Sequence, residues 1–293
     1  WGQPYDWMYA PEGSDAIIDS KRGFLNKPFW LIRSVVFFAG WYFLINKLRK
    51  LSVESDSMSA EGGLANWDKM LPYAAASIVF FALSYVMMFT VDWVESLEPH
   101  WFSTMFSWYT FASSFVSGMS MIMLWMLYTK RHGNLQLVTD EHVHDVGKFM
   151  FAFTIFWTYL WFSQFMLICY ANIPEETVYF KIRMHGPYSF FFWINLVLNF
   201  VAPLLILMSA PAKRNYFVVS LVAIIILFGH WIDFYQIVMP GTVGADWHFS
   251  WYEIGIACGF VGLVIFLVSN KLSKTLQIPE NHPYLKETVI HVS

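Results

Sequence analysis

The chain has 293 residues and a formal net charge of -3, and 57% of its residues are hydrophobic, 20% aromatic and only 13% charged. This composition favours a membrane protein over a soluble domain, and the charge balance provides no basic surface for nucleic acid. Cys169 and Cys258 lie inside apolar runs and form neither a C-x-x-C pair nor a haem-attachment motif. The sequence therefore predicts no zinc, haem c or iron–sulfur ligands on this chain.

Seven separated apolar runs follow one another, each near the roughly 20 residues that ~30 Å of hydrocarbon requires. They cover 28–45, 71–91, 102–128, 149–171, 188–210, 216–239 and 251–269. Backbone groups in lipid must be hydrogen-bonded within the spanning segment, so these long runs predict helices and not barrel strands. The predicted fold class is all-α, a polytopic transmembrane helix bundle with seven spans at 28–270. A segment 1–27 precedes the bundle and a tail 271–293 follows it.

Basic residues are concentrated in every second gap and in the tail, which together hold twelve of the eighteen Lys and Arg residues. The positive-inside rule then places the C-terminus in the cytoplasm and segment 1–27 in the periplasm. Arg33, just inside the first run, and three basic residues before it depart from this pattern. The chain begins with Trp1 and not with Met, so we expect a further portion to precede it. The acidic, small-residue-rich gap 52–69 predicts a loop.

Ionisable residues inside an apolar run are the strongest functional signal. His230 and Asp233 stand three residues apart in the sixth run, which places them on the same side of a helix. A carboxylate in hydrocarbon is costly unless it is neutral, paired or hydrated, and such residues often mark a proton pathway. Two alternatives remain: a mutually satisfied pair that fixes the helix rotation, or a contact to a quinone headgroup.

Two further polar clusters flank the runs. After the second run and before the seventh lie residues that predict either an outer acidic vestibule or ordinary solvated charges: Asp92, Glu95, Glu98, His100, Asp246 and Glu253. Before the fourth run lie residues that predict either a proton-collecting antenna or a solvated loop: Asp140, Glu141, His142, His144 and Asp145. The residues that could hold a water chain between the two clusters are Tyr159, Thr154, Thr158, Tyr85, Ser84, Ser117, Asn195 and Asn199. Alternatively, such residues simply hydrogen-bond their own helix.

Packing signals occur in the fifth and seventh runs. Pro203 removes a backbone donor and predicts a kink, and Asn195 and Asn199 precede it on the same face. Their amides are expected either to pair with the freed carbonyls or to line a hydrated cavity. In the seventh run small residues at helical spacing predict a close helix contact, at Gly255, Gly259 and Gly262.

Two long strings resemble one known family. SLEPHWFSTMFSWYTFASSFVSG (96–118) and HDVGKFMFAFTIFWTYLWFSQFMLICYANIPEET (144–177) are similar to the ActF family of membrane subunits of bacterial alternative complex III. NKPFWLIRSVVFFAGWYF (26–43) and GHWIDFY (229–235) also fit this family. The resemblance covers nearly the whole chain.

The resemblance implies an NrfD/PsrC-like integral membrane subunit of a respiratory quinol:electron-acceptor oxidoreductase in the bacterial inner membrane. Family members have about ten spans, of which this chain would supply the last seven. Haem c and iron–sulfur clusters are expected on partner subunits, beside a homologous NrfD-like membrane subunit, with no redox cofactor on this chain. We expect a proton route through the bundle. The alternatives are a quinone-binding subunit, for which no motif transfers, and a purely structural scaffold.

Overall fold

The computed structural model describes residues 5–244, 247, 249–274, 277–279 and 281–290. These residues form helices and connecting turns without any β-strand, so the predicted all-α class is confirmed. In chain order the helices are α1 (Ala16–Lys21), α2 (Lys27–Asp56), α3 (Ala60–Ser84), α4 (Phe106–Arg131), α5 (Asp140–Ala171), α6 (Pro174–Met184), α7 (Ser189–Leu196), α8 (Ala202–Leu207), α9 (Ala210–Arg214), α10 (Tyr216–Thr242), α11 (Trp251–Leu272) and α12 (Leu285–Val289).

Within the described part of the chain, seven helical segments are long and apolar enough to cross a membrane. The chain is therefore a multi-pass membrane protein. The segments are Lys27–Asp56, Glu61–Leu97, Phe106–Arg131, Asp140–Ala171, Ser189–Leu207, Tyr216–Thr242 and Trp251–Leu272. Each overlaps one predicted run, and most extend beyond it, because polar residues past the apolar stretch continue the helix where local capping permits.

Side-chain caps determine where several of these helices begin. The Asn26 side chain accepts from the backbone N–H of Phe29, and Pro28 occupies the first turn of α2. Asn215 caps α10 in the same way. A capping box of Ser250 and Glu253 begins α11. These caps satisfy backbone donors that a helix cannot satisfy internally.

Two apolar cores occupy opposite ends of the bundle. The end that contains Glu98 and Arg183 is called the Arg183 end, and the end that contains Glu141 and Arg214 is called the Arg214 end. The core at the Arg183 end is aromatic and contains Trp101, Phe106, Trp157, Phe180 and Phe192. The core at the Arg214 end is mostly aliphatic and contains Val116, Met123, Val143, Met150, Leu207, Val219, Val222, Ala223 and Ile226. Polar side chains meet between the two cores.

Two spans change from α-helix to π-helix along their length. α3 continues as a π-helix at Tyr85–Val94, and a π-helix at Val197–Val201 joins α7 to α8. The second lies directly before Pro203, which has no N–H to offer the carbonyl four residues earlier. The predicted distortion of the fifth span is therefore found as a π-helical turn, a feature that often accompanies functional sites.

The seventh span stands apart from the others. None of the described residues of α11 is buried, and a Cβ added at Gly255, Gly259 or Gly262 would meet only open space. The predicted close helix contact at these glycines is therefore wrong for the part of the chain that is described. Small residues at helical spacing permit close approach, but they do not supply a neighbour.

The tail returns to the hairpin of α2 and α3. The Asn281 amide donates to the carbonyls of Ser55 (3.0 Å) and Met58 (2.7 Å). α2 continues to Asp56 and α3 begins at Ala60, so the loop predicted at 52–69 is only three residues long. The gap is short because the Ser59 hydroxyl caps α3 and Asn281 occupies the exposed carbonyls.

Candidate functional site

Asp233 lies at the centre of the bundle, where α10 faces α4, α5 and α7. Its carboxylate is 1% exposed and accepts hydrogen bonds from four side chains on those three helices. The donors are the Tyr109 hydroxyl, the Ser113 hydroxyl (3.1 Å), the Trp157 indole N–H (3.1 Å) and the Asn195 amide (2.8 Å). No Lys or Arg among the described residues pairs with Asp233, so these four donors and the nearby His230 imidazole compensate its burial.

Ser113 connects Asp233 to the second ionisable group of the site. The Ser113 Oγ lies 2.8 Å from His230 Nδ1, while His230 Nδ1 and Asp233 Oδ2 are 3.6 Å apart. A hydroxyl donates one hydrogen bond and accepts others, so Ser113 bridges the imidazole and the carboxylate. The predicted His230/Asp233 pairing is therefore found, with a hydroxyl inserted between the partners.

The backbone of α10 lies very close to the asparagines of the fifth span. Asn199 donates to Asn195 Oδ1 (2.5 Å), and Asn195 donates in turn to Asp233. A Cβ at Gly229 would collide with the Asn199 side chain, so only glycine fits at this position of α10. The asparagines therefore point toward the carboxylate and not toward the carbonyls that Pro203 leaves free. Neither expected role is found, because the Asn195 amide donates to Asp233 and neither asparagine lines the cavity beside that carboxylate.

Three buried polar atoms near this centre have no hydrogen-bond partner among the described residues. They are His230 Nε2, Asn199 Oδ1 and Thr154 Oγ1. Buried polar groups are satisfied in the great majority of proteins, so such a concentration usually marks bound water or a functional site.

A small cavity opens beside Asp233 toward the Arg183 end. Its volume is about 20 Å3, enough for roughly one water molecule. Polar side chains from four helices line it: Tyr109, Gln164, Tyr179, Arg183, Asp233 and Gln236. Water in this cavity would reach the carboxylate from that end of the bundle.

Arg183 closes the same cavity and is itself 2% exposed. Its guanidinium pairs with Glu98 (2.5 Å) and donates to the carbonyls of Gln236 (3.1 Å) and Ile237 (3.0 Å). The Gln236 carbonyl is available because Pro240, four residues later in α10, has no N–H. Arg183 thus replaces a helical hydrogen bond that the proline removes.

The other side of Asp233 is sealed by the aliphatic core of the Arg214 end. Within α10 this layer runs from Val219 to Ile226, roughly 10 Å at ~1.5 Å per residue. Beyond it, Glu141 forms a bidentate pair with Arg214 (3.0 and 2.8 Å), and Asp140 accepts from the Tyr216 hydroxyl (2.6 Å).

The remaining members of the predicted antenna lie at the same end. His142 completes a capping box with Thr139 at the start of α5, and Asp145 pairs with Lys148 (2.7 Å). His144 is 8% exposed. These residues therefore serve local caps and ion pairs. A dry layer separates them from Asp233, so the predicted link between the two clusters is not formed by the described side chains.

Candidates near the Arg183 end have separate partners. Asp92 forms a buried bidentate ion pair with Arg33 (2.7 and 2.6 Å). His100 lies 2.5 Å from Asp15 and holds the pKa of that carboxyl below its ordinary value. Glu253 caps α11. These side chains therefore do not meet in one acidic vestibule, which was one of the two alternatives for them, and Asp246 lies outside the described residues.

Tyr159 does not belong to the polar centre. It is 62% exposed on the outside of α5, whereas Trp157, two residues earlier, is buried and donates to Asp233. Two residues correspond to about 200° around a helix, so the two side chains face opposite ways. Tyr159 was therefore wrongly assigned to an internal water chain.

Sequence reasoning missed most donors to Asp233. Tyr109 and Ser113 are four residues apart in the third run, a spacing that places both on one helix face. That signal was present but resembled ordinary packing residues. No comparable signal identified Trp157, because tryptophan is common throughout this chain.

No protein-family model matches the chain, and no curated protein matches it. Among the described residues no group of three or more His, Cys, Asp or Glu side chains could hold a metal ion. The site itself offers a buried carboxylate and an imidazole joined through a hydroxyl.

Proposed function

We propose that the chain is an integral membrane subunit of a respiratory quinol-oxidising complex, in which Asp233 takes up and releases a proton. The resemblance of residues 96–118 and 144–177 to the ActF family supports the first part. Haem c and iron–sulfur clusters would lie on partner subunits, beside an NrfD-like membrane subunit, in a bacterial inner membrane.

One observation carries the proton proposal: Asp233 is a fully buried carboxylate without a basic Lys or Arg partner among the described residues. Intramembrane carboxylates are costly and are characteristic of proton relays. Asp233 also adjoins a cavity large enough for about one water molecule, which provides an exchange partner toward the Arg183 end.

The Ser113 bridge allows a balanced proton shift. When Asp233 is protonated and His230 Nδ1 is free, the Asp233 proton passes to Ser113 Oγ while the Ser113 hydroxyl proton passes to His230 Nδ1. The products are a carboxylate and an imidazolium, and the net charge of the pair does not change. Reversal of the two transfers restores the starting state, and Asp233, which lines the cavity, is the member of the pair that exchanges a proton there.

A structural scaffold is the second candidate function. Four donors on α4, α5 and α7 converge on one carboxylate of α10, and such a hub would fix the rotation of four helices. The dry layer on the Arg214 side also favours this reading, because it interrupts any continuous polar route.

Sidedness is proposed from the distribution of basic residues. The Arg214 end would face the cytoplasm, and the Arg183 end the periplasm. Labelling of single cysteines with an impermeant thiol reagent tests this orientation. In intact cells, after both native cysteines are replaced, we expect Glu175→Cys to react and Ser57→Cys to remain unmodified. The opposite pattern would reverse the orientation.

Asp233→Asn separates the two functions. The amide cannot ionise, so the proton proposal predicts a lower ratio of protons moved to electrons transferred in reconstituted vesicles. A scaffold predicts an unchanged ratio in the surviving molecules and a loss of stability of about 1 to 3 kcal/mol per unsatisfied donor. Asp145→Asn, which removes a carboxylate at the Arg214 end, is the matched control and should leave the ratio unchanged.

A further inference from the structure

A second cavity lies at the Arg183 end, between the segment that precedes α2 and the turn that joins the second span to α4. Its volume is about 340 Å3, within the roughly 300–1,000 Å3 range of small-molecule sites. None of the residues that line it belongs to the Asp233 cavity. It therefore requires its own explanation.

Most of the cavity wall is apolar. Phe24 and Leu25 form one side, Val91 belongs to the end of the second span, and Phe102 begins the approach to α4. Val91 ends the second apolar run of the sequence, so these walls adjoin the point where that run would leave the hydrocarbon. An apolar chain that enters from the lipid would bury its surface here.

Two charged groups line this cavity with unused hydrogen-bonding capacity. Lys21 donates one hydrogen bond, to the Pro99 carbonyl (2.6 Å), which leaves two N–H groups of its ammonium. Glu95 accepts from the Ser103 backbone through Oε1 (2.7 Å), and its Oε2 makes no hydrogen bond to a described residue.

The ring of Trp101, which is 5% exposed, also lines the cavity. Its Nε1 has no hydrogen-bond partner among the described residues. The ring itself is held rigidly, because it stacks on Tyr179 with centroids 4.0 Å apart. A ligand that fits supplies an acceptor for Lys21, a donor for Glu95 and an apolar surface against the Trp101 ring.

We propose that this cavity binds a zwitterionic phospholipid with a primary ammonium head group. Its phosphate accepts from Lys21, its ammonium donates to Glu95, and one acyl chain lies along the apolar wall. The carboxylate of Glu95 disfavours an anionic lipid by like-charge repulsion. A choline head group carries no N–H and leaves Glu95 Oε2 without a donor.

Competition between two lipids tests the proposal. The full-length chain, purified with its natural subunits, is placed in nanodiscs with equal amounts of phosphatidylethanolamine and phosphatidylcholine, and retained lipids are counted by native mass spectrometry. We expect about a tenfold preference for phosphatidylethanolamine, the value of one charge-assisted hydrogen bond. Glu95→Gln should remove this preference. Glu54→Gln, a carboxylate change in α2 at the Arg214 end, should preserve it.

Ser20→Trp provides a second variant that does not alter a buried residue. Ser20 is exposed at the rim of the cavity, and the indole would fill it, so bound lipid of either kind should be lost. The proposal is overturned by equal retention of both lipids in the wild type, by a preference that survives Glu95→Gln, or by lipid retention that Ser20→Trp does not change. A bound non-lipid molecule that Ser20→Trp expels would also overturn it.

Discussion

Arg33→Met is expected to lower the free energy of unfolding by about 3–5 kcal/mol, because it leaves the buried Asp92 carboxylate without its cation. The Asp92 side chain is 0% exposed, and the Arg33 side chain 6%. Both guanidinium contacts to the carboxylate are short, at 2.7 and 2.6 Å. Thermal unfolding of the purified chain in detergent measures the loss as a lower transition temperature.

Two variants give this prediction its controls. Arg49→Met changes an exposed arginine of the same helix and should leave the transition near the wild-type value. The double variant Arg33→Met/Asp92→Leu removes both charges and should recover most of the stability, since apolar replacement of a buried pair is often neutral. A double variant that is no more stable than Arg33→Met would contradict the ion-pair explanation.

Arg183→Met is expected to have an effect of similar size, about 3–5 kcal/mol. The substitution breaks the ion pair with Glu98 and removes the donors to the Gln236 and Ile237 carbonyls. It also removes the stacking of the guanidinium on Tyr179, whose ring centroid lies 3.4 Å away. The same thermal measurement applies.

Lys181→Met is the matched control, because Lys181 is an exposed basic residue on the same helix. It should change the transition little, as exposed charges usually contribute less than about 1 kcal/mol. If Arg183→Met and Lys181→Met behaved alike, the buried network around Pro240 would not stabilise α10. If Arg183→Met lowered the transition temperature only in a chain that contains Pro240, the Gln236 carbonyl that this proline leaves free would be identified as the cause.

The helices could be predicted from the sequence because hydrocarbon allows so few backbone conformations. A long apolar run must be helical in lipid, and run length then gives the spans. Run length does not, however, predict the residues at which the helices begin and end. Residues 52–56 continue α2 and residues from Ala60 begin α3, since a serine cap and the Asn281 contacts support polar helical turns there.

Partners across helices could not be predicted in the same way. Arg33 appeared to depart from the positive-inside pattern, yet its charge is neutralised by Asp92, fifty-nine residues away. Asp233 was found because a carboxylate inside an apolar run is conspicuous, whereas its donors are common residue types. Tyr159 was misplaced because residue type indicates chemistry but does not say which helix face is buried.

The protonation of Asp233 is tested most directly by infrared difference spectroscopy of the reconstituted complex between its oxidised and reduced states. A protonated carboxyl group gives a C=O stretching band that shifts in D2O and that a carboxylate lacks. We predict such a difference band in the wild type and in Asp145→Asn, and its loss in Asp233→Asn. A wild-type spectrum without the band, or a band that persists in Asp233→Asn, would contradict proton uptake and release at Asp233.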